Sequence, residues 1–248
     1  MEELSSPSAD SRPSHFVLLP VPMAVLKILA FDTSNEYCSV ALLLNGQISS
    51  REALAKQRHS ELLLPMIQQV LTEAGVGLSQ LQGIAFGAGP GSFTGLRIAC
   101  GVAQGLGFGS GLPVVGVCTL EAMADEAGGG RVIAAIDARM GEIYHAAYMK
   151  SGDRWLTAGQ PVLCFPQDAP LLPGNDWTGC GSGFAVHEGA LRLRYNGCIN
   201  HIIPGVRPQA RAIARLAASR FMDGAGIEPA EAAPIYIRNK VALKENER

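Results

Sequence analysis

The residues best placed for chemistry are two aspartates and one glycine-rich stretch. Asp32 and Asp137 each end an apolar run and open a polar turn. Two carboxylates facing one cleft could hold a magnesium ion that keeps several waters and bridges phosphates. The simpler alternative is that each accepts hydrogen bonds from its own turn. Between them in the chain lies Gly87-Ala-Gly-Pro-Gly-Ser-Phe-Thr-Gly-Leu-Arg97. Its glycines admit positive φ, and such a loop, leaving a strand and opening a helix, aims N–H donors at whatever sits above it. The stretch is therefore a phosphate cradle or a tight corner. Gly91, Ser92 and Thr94 join Asp32 and Asp137 as candidate nucleotide or phosphate contacts, and Ser92 or Thr94 can instead cap the following helix.

Established motifs narrow these options. A P-loop is absent, because Gly95 is followed by Leu96 and Arg97 rather than by Lys and a hydroxyl residue. The dinucleotide fingerprint fails as well, since Ser92 stands where the third glycine should be. A serine nucleophile elbow at Ser92 lacks the glycine two residues earlier. No catalytic residue is assigned.

These residues need a frame, and 248 residues at 48% hydrophobic composition can bury a substantial core as one large domain or two packed lobes. The formal charge of −2 gives no overall nucleic-acid footprint, although residues 192–248 carry twice as many basic as acidic side chains. Within that region Arg207, Arg211 and Arg215 recur every four residues and could form a basic stripe toward a nucleic acid; most such stripes are simply solvated. The six cysteines include no C-x-x-C pair, which signals neither zinc site nor disulfide framework and suits a reducing cytoplasm. The uncharged run 98–120 is broken by glycines and Pro113 and divides into a helix and a strand, so no membrane span is expected.

Periodicity supplies the elements. Residues 1–22, rich in Ser and Pro, read as a disordered extension without a convincing signal peptide. Strands are expected at 26–31, 38–44 and 47–53, the last two joined at Asn45-Gly46. A helix over 60–74 ends at Gly75. A strand over 81–86 leads into the glycine stretch, a helix follows over 94–108, and a further strand and helix occupy 114–117 and 120–127. After Gly128-Gly-Gly130 the pattern restarts: Arg131-Val-Ile-Ala-Ala-Ile-Asp137 mirrors Lys27-Ile-Leu-Ala-Phe-Asp32. Residues 156–206 read as irregular, and a last helix spans 209–223. The expected architecture is α/β with duplicated lobes at 23–127 and 128–248, each built on a mixed sheet and the second reduced.

Asp32-Thr-Ser, His59-Ser-Glu-Leu-Leu-Leu-Pro65, Gly89-Pro-Gly-Ser-Phe-Thr-Gly-Leu-Arg97 and Pro234-Ile-Tyr-Ile-Arg238 together resemble the TsaB (YeaZ) family in order and spacing. The resemblance runs from about residue 23 to residue 238. It implies an actin-like, ribonuclease H-like fold with a mixed five-stranded sheet. It also implies a non-catalytic cytoplasmic subunit that pairs with TsaD in forming N6-threonylcarbamoyladenosine at position 37 of tRNAs reading codons that begin with adenine. TsaE, an ATPase, and TsaC/Sua5, which makes the adenylate, would be further partners. tRNA would be met through the complex, and a homodimer could form alone.

No cofactor is expected on the chain alone, while the resemblance leaves ATP or ADP and a divalent metal possible in the complex with partners. TsaD carries a His-x-x-x-His metal pair on the corresponding helix; here His59 is followed at position 63 by Leu, so no metal site is expected and His59 becomes a helix-start or interface residue. The expected partner face comprises Leu63, Ile67, Val70, Ile98, Gly101, Val102, Gly105 and Leu106, the glycines letting another backbone approach. The rival class is an independent actin-fold phosphotransferase or glycoprotease-like enzyme.

Overall fold

A computed structural model describes residues 26–238. The expected extension at 1–22 lies outside the described residues. The first sheet runs β3-β2-β1-β4-β5, from β1 (Lys27–Asp32), β2 (Tyr37–Leu44), β3 (Gln47–Leu54), β4 (Gly83–Gly89) and β5 (Val114–Cys118). β1, β2 and β3 pair antiparallel, whereas β4 and β5 join β1 in parallel. Asn45 and Gly46, both at positive φ, make the β2–β3 turn that the sequence calls for.

The second sheet repeats the plan as β8-β7-β6-β9-β10, from β6 (Arg131–Asp137), β7 (Ile143–Ser151), β8 (Arg154–Cys164), β9 (Trp177–Cys180) and β10 (Ile199–Ile203). It too has an antiparallel half and a parallel half. The region 156–206, expected to be irregular, thus holds two complete strands and most of a third. The reduction lies in the helices: where α1 (His59–Ala74) and α2 (Phe93–Ser110) have 16 and 18 residues, the matching connection β8–β9 holds a three-residue 3-10 turn at Pro166–Asp168 and β9–β10 holds the short α4 (Ser182–Val186) and α5 (Glu188–Arg194).

Alternation along β1 sorts the first sheet's side chains. Leu29 and Phe31 face α1 and α2 with Val40, Leu42, Ile84 and Phe86. Ile28 and Ala30 face the opposite side, where α3 (Thr119–Ala127) and α6 (Ala210–Met222) lie between the two sheets in one shared core. These two helices are exchanged. α3 ends the first half of the chain yet packs on β6 and β7, and Trp155 of β8 donates to its Asp125 at 3.1 Å. α6 returns to the first sheet, packing across β1, β2 and β4, with Ala210 N–H donating to Ser39 Oγ at 3.0 Å. A second lobe of 128–248 therefore differs from the fold: residues 207–235 rejoin the first sheet and its helices, where Ile227 bridges to Val114.

The arginines in and just before α6 serve this exchange. Arg207 pairs with Glu52 of β3, Arg211 with Glu126, and Arg215 with Asp125 and Glu126 of α3. The expected basic stripe is neutralised by carboxylates of neighbouring elements. Among the described residues, no helix is long and apolar enough to cross a membrane.

Candidate functional site

The glycine stretch begins inside β4, which runs through Gly89, and opens α2 at Phe93. Ser92 is the N-cap: its Oγ accepts from Gly95 N–H at 3.3 Å and its carbonyl from Leu96 N–H at 2.8 Å. Its own N–H donates to Ser34 carbonyl oxygen at 2.8 Å. The glycines are needed because the Asp32–Ser34 turn lies directly against them. A Cβ on Gly91 would stand 2.6 Å from the Ser34 carbonyl oxygen, and one on Gly95 would overlap the Thr33 carbonyl oxygen. Thr33 Oγ1 completes the join, donating to Gly95 carbonyl oxygen at 2.7 Å. Of the two sequence alternatives, the tight corner is the one formed.

Asp32 sits at the centre of that corner, fully buried. Its Oδ1 accepts from Ser34 N–H, Ser34 Oγ and Asn35 Nδ2 at 3.1, 2.9 and 3.0 Å. Its Oδ2 faces the Cα of Gly87 with no hydrogen-bond partner. Burial pushes the carboxyl up to about 7, and the two bonds from Ser34 only partly oppose it. A carboxyl so enclosed cannot reach a metal ion or phosphate in a cleft. The expectation that Asp32 contacts nucleotide is therefore corrected.

Asp137 also serves its own turn. It accepts from Arg139 N–H at 3.2 Å, lies 3.6 Å from His187 Nε2, and its N–H donates to Ser182 Oγ at 3.0 Å. Gly91 is half-buried, whereas Ser92 and Thr94 are exposed at the start of α2. The donors present do not fit a nucleotide with its metal, and among the described residues no three His, Cys, Asp or Glu side chains converge. His59 is the first residue of α1, and its Nε2 donates to Asn35 carbonyl oxygen at 2.8 Å, which fixes the proton on Nε2. It ties the helix to the Asp32 turn.

The helix surface divides the expected partner residues into two groups. Leu63, Ile67 and Val70 point at the sheet and lie at 0%, 3% and 3% exposure in the lobe's own core. They are removed from the partner face for that reason. Gly101 and Gly105 are exposed, and a Cβ placed on either, or on Gly109, would meet nothing within 4 Å. This glycine stripe looks outward. Ile98, Val102 and Leu106 are half-buried beside it. Between α1 and α2 runs a groove of ≈ 510 Å³ lined by Leu64, Pro65, Gln68, Leu71, Val76 and Leu106. Leu64, Phe93 and Phe108 stand exposed on the same two helices.

Sequence reasoning missed what completes the corner. The segment 234–238 lies over the glycine stretch: Ile235 N–H donates to Ala88 carbonyl oxygen at 2.7 Å, and Ile235 carbonyl oxygen fills the space beside Gly89. The Pro234-Ile-Tyr-Ile-Arg238 stretch was visible in the sequence, but its long-range target was not.

The geometry can be set beside known proteins. A family model described as "TsaD: tRNA N6-adenosine threonylcarbamoyltransferase" matches residues 47–176. The tRNA threonylcarbamoyladenosine biosynthesis protein TsaB of Escherichia coli is 37% identical over 89% of this chain and 98% of its own length. Its counterpart in Haemophilus influenzae is 36% identical over 90% of this chain and 98% of its own. The solved structure of YeaZ from Pseudomonas aeruginosa superposes with a TM-score of 0.79 at 39% identity, covering 86% of this chain and all of that one. With likeness in sequence and fold over nearly the whole described chain, this protein belongs to the TsaB (YeaZ) family.

Proposed function

We propose that this protein serves the biosynthesis of threonylcarbamoyladenosine in tRNA as a non-catalytic subunit that pairs with TsaD through the outward face of α1 and α2. The observation that carries this reading is the glycine stripe Gly101, Gly105 and Gly109, open on a helix flanked by apolar side chains. A stripe without side chains lets a second backbone approach closely, which is wasted on a helix that faces water alone. The closed carboxyl of Asp32 and the committed Nε2 of His59 argue against an independent phosphotransferase or metal-dependent glycoprotease. TsaD would then supply the transfer chemistry at adenosine 37, with TsaE and the adenylate-forming TsaC/Sua5 acting around the pair. Nucleotide and divalent metal would enter through those partners.

The test is Gly105→Leu, read by thermal melting, by co-elution with TsaD and by cellular threonylcarbamoyladenosine. An unchanged melt with pairing weakened at least about tenfold supports the reading. An unchanged melt with full pairing and normal modification would overturn it.

A further inference from the structure

We infer that the segment 234–238 is a strap through which the second lobe sets the first turn of α2, and with it one end of the outward helix face. The chain runs alongside α2 before it reaches this point. Pro229 packs against Gly107, and Ala232 carbonyl oxygen accepts from Gln104 Nε2 at 3.0 Å and Cys100 Sγ at 3.4 Å. At the start of α2 the strap is seated three ways. Ile235 N–H holds Ala88; Tyr236 OH accepts from Arg97 Nε at 3.1 Å; and the Tyr236 ring lies 5.6 Å from that of Phe93, over which the Arg97 guanidinium stacks at 3.8 Å.

Two residues later Arg238 crosses to the other lobe. Its Nη2 donates to Ala138 carbonyl oxygen at 2.9 Å and pairs with Glu142 at 2.7 Å. Those residues bracket the turn that follows Asp137, in which Arg139 and Met140 hold positive φ. Side-chain exposures of 16% for Arg238 and 21% for Glu142 make this a largely desolvated pair rather than a solvated one.

One short segment thus touches the Asp137 turn at one end and the first turn of α2 at the other. Arg97 lies four residues before Gly101 and eight before Gly105, so the Phe93, Arg97 and Tyr236 cluster continues the glycine stripe. A change at the second-lobe turn, through loss or gain of the Arg238 contacts, moves the strap and loosens or tightens that end of the face. The link to partner binding rests on the function proposed above; the link between the two turns does not.

Amide hydrogen exchange on the full chain decides the matter. Arg238→Ala is expected to speed exchange at Ile235, Gly95 and Leu96 by at least about tenfold while β1 stays protected, with Arg238→Lys intermediate. Should Arg238→Ala fail to fold, Tyr236→Phe, which removes only the bond to Arg97, is expected to speed Gly95 and Leu96 and leave Glu142 unchanged. Unaltered exchange at Gly95 and Leu96 in either variant would overturn the strap. Affinity for TsaD separates the two claims: faster exchange with weakened pairing supports the strap as a control on the face. Loss of pairing in Gly105→Leu without any exchange response in Arg238→Ala overturns the strap and keeps the subunit reading. Faster exchange in a protein that never pairs overturns the subunit reading and keeps the strap.

Discussion

Asp32 and Gly87 share one space: the unpartnered Oδ2 of the aspartate occupies the position that any side chain at residue 87 would need. The carboxyl is walled by its own strand, by β4 and by Ile213 of α6, whose Cδ1 lies 3.3 Å from that same position. A residue that reads as a phosphate or metal contact is here a buried structural acid.

Its burial predicts an unusual pH profile. Between pH 3.8 and about 7 the folded chain keeps a proton on Asp32 that the unfolded chain has released, so this group makes stability fall as pH rises. His145 acts in the opposite sense: burial lowers it from 6.5 to about 4, the unfolded chain takes up a proton that the folded chain refuses, and stability rises with pH across that window. Full titration of either could be worth up to about 3–4 kcal/mol, so the two largely cancel between pH 4 and 6.5. Asp32→Asn should uncover the His145 slope, giving a melting temperature clearly higher at pH 7 than at pH 4.5. A variant whose profile matches the parent's would refute the assignment.

Two glycines of α2, two residues apart, should respond oppositely to alanine. At Gly105 the new methyl meets open space and improves helix propensity, for a gain of about 0.5–1 kcal/mol. At Gly107 it would stand 2.7 Å from Pro229 Cγ and 3.1 Å from Leu112 carbonyl oxygen, an overpacking that costs about 1–3 kcal/mol. Denaturant melts of the two variants give the comparison directly, and equal shifts would contradict the outward placement of the stripe.

The α6 arginines should behave as staples. Arg211→Ala and Arg215→Ala each remove pairs to Glu126 or Asp125, and since both arginine side chains are nearly half exposed each loss is expected to be about 1 kcal/mol. Raising the salt concentration should shrink the difference from the parent. If instead these variants melt normally and weaken tRNA binding by the chain, the reading of these arginines as a basic stripe toward tRNA returns.

His59→Ala should lower stability by roughly 1–2 kcal/mol, because Asn35 carbonyl oxygen loses a largely buried donor and α1 loses its tie to the Asp32 turn. Zinc and iron, measured on the purified parent and variant by mass spectrometry, should be substoichiometric in both. One equivalent of metal in the parent that vanishes in the variant would show that His59 is a ligand.

Local signals carried the first lobe well. Asn45-Gly46, Gly75 and the alternation of β1 and β2 each act within a few residues, and each element formed within three residues of its expected bounds. The second lobe was harder to read because Pro161, Pro166 and the glycines around β9 interrupt its strands, whose pairing is fixed by distant neighbours rather than by their own pattern. The duplicated strand and aspartate at Asp32 and Asp137 were legible; that the Asp32 carboxylate turns inward was not, since enclosure by Gly87 and Ile213 depends on packing. Leu63, Ile67 and Val70 were assigned to a partner for a related reason. An apolar stripe looks the same in sequence whether a sheet or another protein covers it.

The exchange of α3 and α6 between the sheets bears on how the chain is made. The first sheet's five strands leave the ribosome early, yet the helix that covers their inner face is encoded at residues 210–222. Until that segment emerges, Ile28, Ala30 and Leu43 have no lid and β1 to β5 form a surface open to other nascent chains. Synthesis that stops short of α6 should therefore yield a product with no stable half, one that chaperones hold and proteases clear, because neither sheet completes its core from its own stretch of sequence.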